Sequence, residues 1–456
     1  MREKEVGAVA QEVKLEMLEE LLETGQYRAL RAAFAEINEV DLARFIAELP
    51  PEQATVAFRT LPKDVELEVF AELDADTQQH IIGSITDHEV SQIIDDLMVD
   101  DAVDMLEEMP ASLVKRVLRN ARPETRTLIN QFLRYPENSA GSIMTAEFID
   151  LRRDMTVEDA IKRIRRIGGD RETVYTCYVV DDTRRLDGVV TVKDLLLAGD
   201  SDMVAELMET DVISVFTGDD REAAAQLMAK YGFIALPVVD TEMRLVGIVT
   251  VDDAMDVIQE EATEDFEKMA AMVPSEKPYL KTSVWRLARN RLPWLMVLMV
   301  SGMFTGGILG HYEAIYVSVP LLVSFIPMLT GTGGNAGSQS STMVIRGIAL
   351  GEIKMRDMLA VALKEARVSI VVGVGLAIVN YLRMLITNPG SGLVPLVVSL
   401  TLIAAIFMAK VIGGVLPLVA KACRVDPALM AAPLITTIVD ALTLVIYFNI
   451  AQLLLS

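Results

Sequence analysis

Apolar residues in the first part of the chain recur at the three- and four-residue spacing of an amphipathic helix, but only in short runs. Turn-like endings interrupt them every 12 residues, at Glu-Leu-Pro50, Thr-Leu-Pro62, Glu-Leu-Asp74, Ser-Ile-Thr86, Asp-Leu-Met98 and Glu-Met-Pro110. Segments such as DLARFIAE and DAVDMLEE lie between. Helices this short bury an apolar face only by stacking on their neighbours. The pattern predicts an all-α superhelical N domain over residues 1–137.

Over residues 138–257 the period changes. A strand, a helix, an apolar strand ending in Val-Asp, a polar turn, a second strand and a helix occur twice in succession. The two copies close on matching signatures, Gly188-Val-Val-Thr191-Val-Lys-Asp194 and Gly247-Ile-Val-Thr250-Val-Asp-Asp253. This doubled α/β unit resembles a tandem pair of CBS domains. A connecting helix and linker follow over 258–284.

Residues 285–456 are dominated by five apolar segments, near 292–311, 316–345, 359–386, 393–420 and 427–455. Each is long enough to cross about 30 Å of hydrocarbon, which predicts an all-α five-helix transmembrane domain. The second carries GTGGNAGSQSST over Gly331–Thr342, where a break or kink is expected. Arg286, Arg289, Arg291, Arg346, Lys354, Arg356, Lys421 and Arg424 fall on alternate loops. By the positive-inside rule the N-terminus is cytosolic and the C-terminus outside. The N-terminal stretch lacks the apolar core of a signal peptide, so the first membrane helix is expected to direct insertion.

Charge sharpens the division. The net charge is −23, yet residues 276–456 hold 14 basic and 7 acidic residues, against 28 and 58 before them. An acidic module repels nucleic acid and attracts divalent cations. Two cysteines and three histidines do not suit a soft-metal site. No phosphate-binding loop or catalytic triad is present, so the chain does not read as an enzyme.

Asp440 is the one charge in the last apolar segment, and a carboxylate at that depth is disfavoured by about 2.5–3.5 kcal/mol. It reads either as a cation-binding residue of a transport path or as a protonated Asp bonded to a neighbouring helix. Thr436 and Thr437 lie one turn earlier, and Pro433 is expected to free a carbonyl near residue 429. One carboxylate among neutral oxygens suits magnesium that keeps most of its water. The run containing Gly334 and Asn335 fits a packing seam and a pore lining equally well. Glu313 reads as a cation-recruiting residue at the outer end or as a solvated one. Lys410 is expected to snorkel, and Glu365 to anchor at the interface.

Two acidic patches stand out in the soluble part. Asp100 and Asp104 share a helix face at i, i+4. Asp253, Asp256, Glu260 and Glu264, with Glu261, form a stripe leading towards the membrane linker. Charge runs of this kind are commonly solvated faces; the placement here points to divalent-cation binding.

Taken together, this order of domains resembles the MgtE family of magnesium channels over nearly the whole chain. The resemblance implies a homodimer in the cell membrane with the pore between subunits and Asp440 at its narrow part. It implies closure by cytosolic Mg2+ at Asp100, Asp104, Asp253, Asp256, Glu261 and Glu264, with Asp426 a further member. The Thr191/Asp194 and Thr250/Asp253 endings resemble the ribose and phosphate contacts of CBS domains, implying ATP as a regulatory ligand. Two alternatives stand beside this: a membrane-anchored CBS nucleotide sensor, and a transporter of Co2+ or Mn2+.

Overall fold

The computed structural model describes residues 15–63, 65–275, 279–280, 282–430 and 432–455. Two compact units divide at Ile258/Gln259.

In the first unit, the 12-residue repeat becomes a helix of about ten residues and a two-residue extended link. Glu39–Glu48, Pro51–Thr60, Ala75–Ser84, Asp87–Asp96, Ala111–Asn120 and Pro123–Phe132 all follow this plan. The link works because its residues stop one helix and cap the next. Leu49 is extended ahead of Pro50, and the Asp74 side chain accepts from Thr77 N. Thr86 and Glu89 form a reciprocal capping box. The inward faces supply Phe34, Phe45, Phe58, Phe70, Ile81 and Ile93 to one hydrophobic cluster.

Each CBS copy folds as a three-stranded mixed sheet. The first comprises β1 (Ile149–Leu151), β2 (Thr176–Val180) and β3 (Leu186–Thr191); the second β4 (Val215–Phe216), β5 (Ala235–Val239) and β6 (Leu245–Thr250). In both, the first strand pairs parallel and the last antiparallel with the middle one. The register matches, Val179 facing Gly188 and Val238 facing Gly247. Free Cys177 is buried in the first copy's core.

The second copy shares its core with the helical repeat. Met144, Ala224, Met228, Val249, Ala254 and Val257 belong to the same cluster as Val117 and Ile129. This shared core carries the start of helix Val251–Met269 against the repeat.

Among the described residues, the second unit holds five helices of 24 residues or more: Val284–His311, Ile326–Ala349, Met358–Thr387, Val394–Ala422 and Ala432–Leu455. Four of these segments, again among the described residues, are long and apolar enough to cross a membrane, beginning at Val284, Met355, Val394 and Pro427. Ile326–Ala349 has 24 residues, about 36 Å at 1.5 Å per residue, but its Gly and Ser content lowers its hydropathy. The expected break in the glycine run does not occur, because the helix is continuous through it. The interruption lies earlier, where Glu313–Ser318 gives way to a 3-10 turn at Pro320–Phe325. Proline lacks an N–H to donate and ends the preceding helix there.

Candidate functional site

Asp440 is half-buried on the last helix. It has no hydrogen bond or ion pair among the described residues. Pro433, Thr436 and Thr437 are also half-buried and lie at i−7, i−4 and i−3 from it.

The proline does not act as expected. The helix begins at Ala432, so Pro433 sits in the first turn, where its missing N–H has no partner to lose. Residue 429 belongs to the preceding 3-10 turn, Pro427–Met430. Instead the Pro433 carbonyl accepts from both Thr436 Oγ1 and Thr437 Oγ1, at 3.0 Å each. With their protons committed, the two hydroxyls keep only lone pairs to offer, the polarity a cation requires.

The glycine-rich helix packs antiparallel on this segment. A Cβ at Gly334 would lie 2.9 Å from Thr436 Cγ2, at Gly337 2.7 Å from Ile435 Cγ2, and at Gly333 3.0 Å from Val439 Cγ1. Ser341 Oγ donates to the Met430 carbonyl at 3.0 Å. Gly334 is therefore a contact that lets the helices close up. The exposed side of the same helix carries Gly331, Asn335, Gln339 and Thr342. The packing-seam reading holds on the buried face, and the polar residues of the run lie on the other. Glu313 is exposed at the start of its short helix.

Two expectations for charged residues fail. Lys410 does not snorkel, being 6% exposed with Nζ donating to Ser340 Oγ at 3.3 Å. Glu365 is not an interfacial anchor; it accepts from Ser340 Oγ at 2.6 Å. Sequence reasoning had no local signal for this pairing.

In the soluble unit the shared core gathers carboxylates from distant parts of the chain. Asp100 is buried, and burial, then Asp101, Asp253 and Glu172, raise its pKa well above the usual range. Burial first, then neighbouring acids, pushes Asp253 up to about 7, Glu172 up to about 7 and Asp101 up to about 6. Asp256 is raised by burial and by Asp252, and Glu72 by burial and by Asp256. Asp104 shares a helix with Asp100 and is exposed; Asp101, not singled out in the sequence, lies among the interacting acids. Glu72, Glu147 and Glu172 were not anticipated, since they are brought in from loops and other helices. Oxygen donors suit a hard cation, although no three such groups converge into a metal cage among the described residues. Magnesium tolerates this, because it is commonly held through one or two carboxylates and its own waters.

In the second unit, Glu260 is exposed and Glu261 and Glu264 are half-buried on the continuing helix. Lys268 Nζ lies 2.7 Å from Glu264 Oε1 and 2.7 Å from Asp426 Oδ2. Asp426 also accepts from Ala428 N at 2.8 Å, capping the 3-10 turn. Burial, then Asp426, raises the Asp265 pKa.

The Thr-x-x-Asp endings are helix starts. Thr191 Oγ1 donates to Asp194 Oδ2, and Thr250 Oγ1 to Asp253 Oδ2, at 2.5 Å each. Thr191 and Asp194 complete a capping box.

The sequence pattern of MgtE, a divalent cation transporter family, matches residues 326–450. That of the MgtE intracellular N domain matches 37–138, and that of the CBS domain 140–200 and 204–260. The magnesium transporter MgtE of Thermus thermophilus is 38% identical over 442 residues, covering 96% of this chain and 98% of its own. That of Bacillus subtilis is 32% identical over 431 residues, covering 94% and 95%. Among solved structures, the cytosolic domain of the Mg2+ channel MgtE in complex with ATP superposes with a TM-score of 0.51 at 40% identity, covering 53% of this chain and 99% of its own. The soluble part of a magnesium transporter gives 0.52 at 30% identity, covering 55% and 99%.

Proposed function

The chain belongs to the MgtE family of magnesium transporters, and from that premise we propose how its own residues pass the ion and shut the route. It is a multi-pass membrane protein whose activity is ion passage and not enzymatic chemistry. In this reading Mg2+ moves down its electrochemical gradient past Asp440. The observation that carries it is a half-buried carboxylate in a membrane span with no protein partner among the described residues. A charge retained there is neutralised by the ion that passes. Thr436 and Thr437 contribute oxygen lone pairs, held by Pro433, and Asn335 lies on the polar face of the helix that Gly334 seats. Glu313 gathers cations at the outer mouth.

A homodimer encloses the route. Supporting this, the stripe Asn335, Gln339 and Thr342 is exposed in a single chain, and polar groups at that depth need shielding from lipid. The placement of basic residues puts the N-terminus in the cytosol and the C-terminus outside. Residues 1–137, 138–257, 258–284 and 285–456 act as helical sensor, CBS pair, connector and pore.

Cytosolic Mg2+ closes the route by cancelling repulsion. Asp100, Asp104, Asp253 and Asp256 receive it in the soluble unit, joined by Asp101 and Glu172. Glu260, Glu261, Glu264 and Asp426 receive it nearer the membrane helices. The shift equals the ions' differential affinity for the shut state, so several weak sites act together. ATP is a second regulatory ligand at the Thr191/Asp194 and Thr250/Asp253 helix starts, a reading supported by the ATP-bound relative.

The test is Mg2+ flux into proteoliposomes with the soluble side held at low and then at high Mg2+. Asp440→Ala abolishes uptake while the chain still folds and inserts. Joint neutralisation of Asp253, Asp256, Glu261 and Glu264 preserves conduction and weakens closure. Wild-type uptake by Asp440→Ala would sink the assignment of the pathway.

A further inference from the structure

Three helices of the second unit meet at a buried charge pair that the ion route leaves unused. Lys410 on Val394–Ala422 stands 3.9 Å from Glu365 Oε2 on Met358–Thr387. Ser340, 2% exposed on the glycine-rich helix, lies between them. Its Oγ accepts from Lys410 Nζ at 3.3 Å and donates to Glu365 Oε2 at 2.6 Å. The helices are cut to fit around the three groups. A Cβ at Gly414 would lie 2.9 Å from Glu365 Cγ, and one at Gly413 would lie 2.3 Å from the Gly337 carbonyl oxygen. Bulk at either position would part the helices that carry the pair.

Packing alone gives no reason to keep two ionised groups in an apolar bundle, where well-packed hydrophobic residues commonly serve as well or better. Their place relative to Asp440 supplies one. Along the antiparallel contact, Gly333 meets Val439, Gly337 meets Ile435, and Ser341 bonds the Met430 carbonyl. Ser340 therefore lies nine or so residues from Asp440 along the axis, about 14 Å at 1.5 Å per residue. As long as both charges are present, the pair acts as a dipole whose field falls off quickly. With one removed, a full charge remains in a poorly screened medium, and an ion of charge +2 at Asp440 feels it twice over.

We propose that Glu365 and Lys410 are affinity-determining residues for magnesium passage, a neutral pair oriented by Ser340 that sets the potential on the Met430 side of Asp440. They act through the field and through the seat of the glycine-rich helix, without touching the ion. This rests on Asp440 as the ion site.

The full chain in proteoliposomes at pH 8 tests it, with apparent KM and maximal flux for Mg2+ measured on Glu365→Gln, Lys410→Met and the double variant. Gln still accepts from Ser340, and Met keeps the length of the lysine stem. Glu365→Gln leaves a bare ammonium and raises KM by about threefold or more. Lys410→Met leaves a bare carboxylate and lowers KM by about threefold or more, with slower maximal flux as the ion is held longer. The double variant returns KM to within about twofold of wild type. A purely structural staple predicts losses in the same direction for both single variants, and that result overturns the proposal. Should Glu365→Gln fail to insert, Lys410→Met decides alone, since an unchanged or raised KM refutes the field effect. A conducting wild type with same-direction shifts defeats only this inference, whereas wild-type flux in Asp440→Ala defeats the site on which it rests.

Discussion

The ammonium of Lys268 bridges Asp426 and Glu264, 2.7 Å from a carboxylate oxygen of each. Burial works against that charge, but the hydrogen bonds it donates to Asp426 and Glu264 prevail and raise the lysine pKa. It is therefore a cation throughout the accessible pH range. The chain has placed its own positive charge between two carboxylates proposed to receive magnesium, and the two cations compete. Lys268→Met is expected to lower the cytosolic Mg2+ needed for half-closure by about threefold, the scale of a partly exposed ion pair. Flux measured against internal Mg2+ checks this, and a rise in that concentration would show that the lysine substitutes for the ion.

Acidity supplies the next test. Asp253 and Glu172 are pushed up to about 7 and Asp101 up to about 6, by burial and by neighbouring acids. Unfolded carboxylates titrate near 4. Their folded pKa values are raised, so the metal-free protein is favoured in acid and loses stability as pH climbs from about 4 through about 7. Magnesium takes the place of the lost protons. Thermal unfolding of the full chain in detergent is expected to show a large Mg2+ stabilisation at pH 8 and a small one at pH 5.5. Equal shifts at both values would contradict the assignment.

Close helix contact makes a steric prediction. At Gly413 a Cβ faces the Gly337 carbonyl at 2.3 Å, and backbone cannot swing aside. Gly413→Ala is expected to cost about 3 kcal/mol or more and to lower the unfolding temperature. Gly331→Ala, with nothing within 4 Å of the added carbon, is expected to leave it unchanged.

The two CBS endings are alike in sequence but not in surroundings. Asp194 is exposed, whereas Asp253 is half-buried among acids. Asp194→Ala is expected to weaken ATP binding about tenfold, the scale of one hydrogen bond to a charged group, with closure by magnesium retained. Asp253→Ala is expected to weaken closure more than nucleotide binding. Calorimetric titration of ATP into the full chain, set beside flux, separates the two.

The sequence by itself determined the helical repeat, the doubled CBS pattern, the long apolar helices and Asp440, because each is written in local periodicity or in one charge among apolar neighbours. It also located the acidic stretches, though not their membership. At Asp100 the i, i+4 rule selected Asp104, while the fold also sets Asp101 near Asp252 of the second CBS copy and adds Glu172 from the first. Only the tertiary structure decided that Lys410 meets Ser340 from 70 positions away, that Lys268 reaches Asp426, and that the glycine run stays helical against Ile435 and Thr436. Such pairs leave no periodic trace. What fixes them is the fit of one helix surface on another, and that fit exists only once the chain has folded.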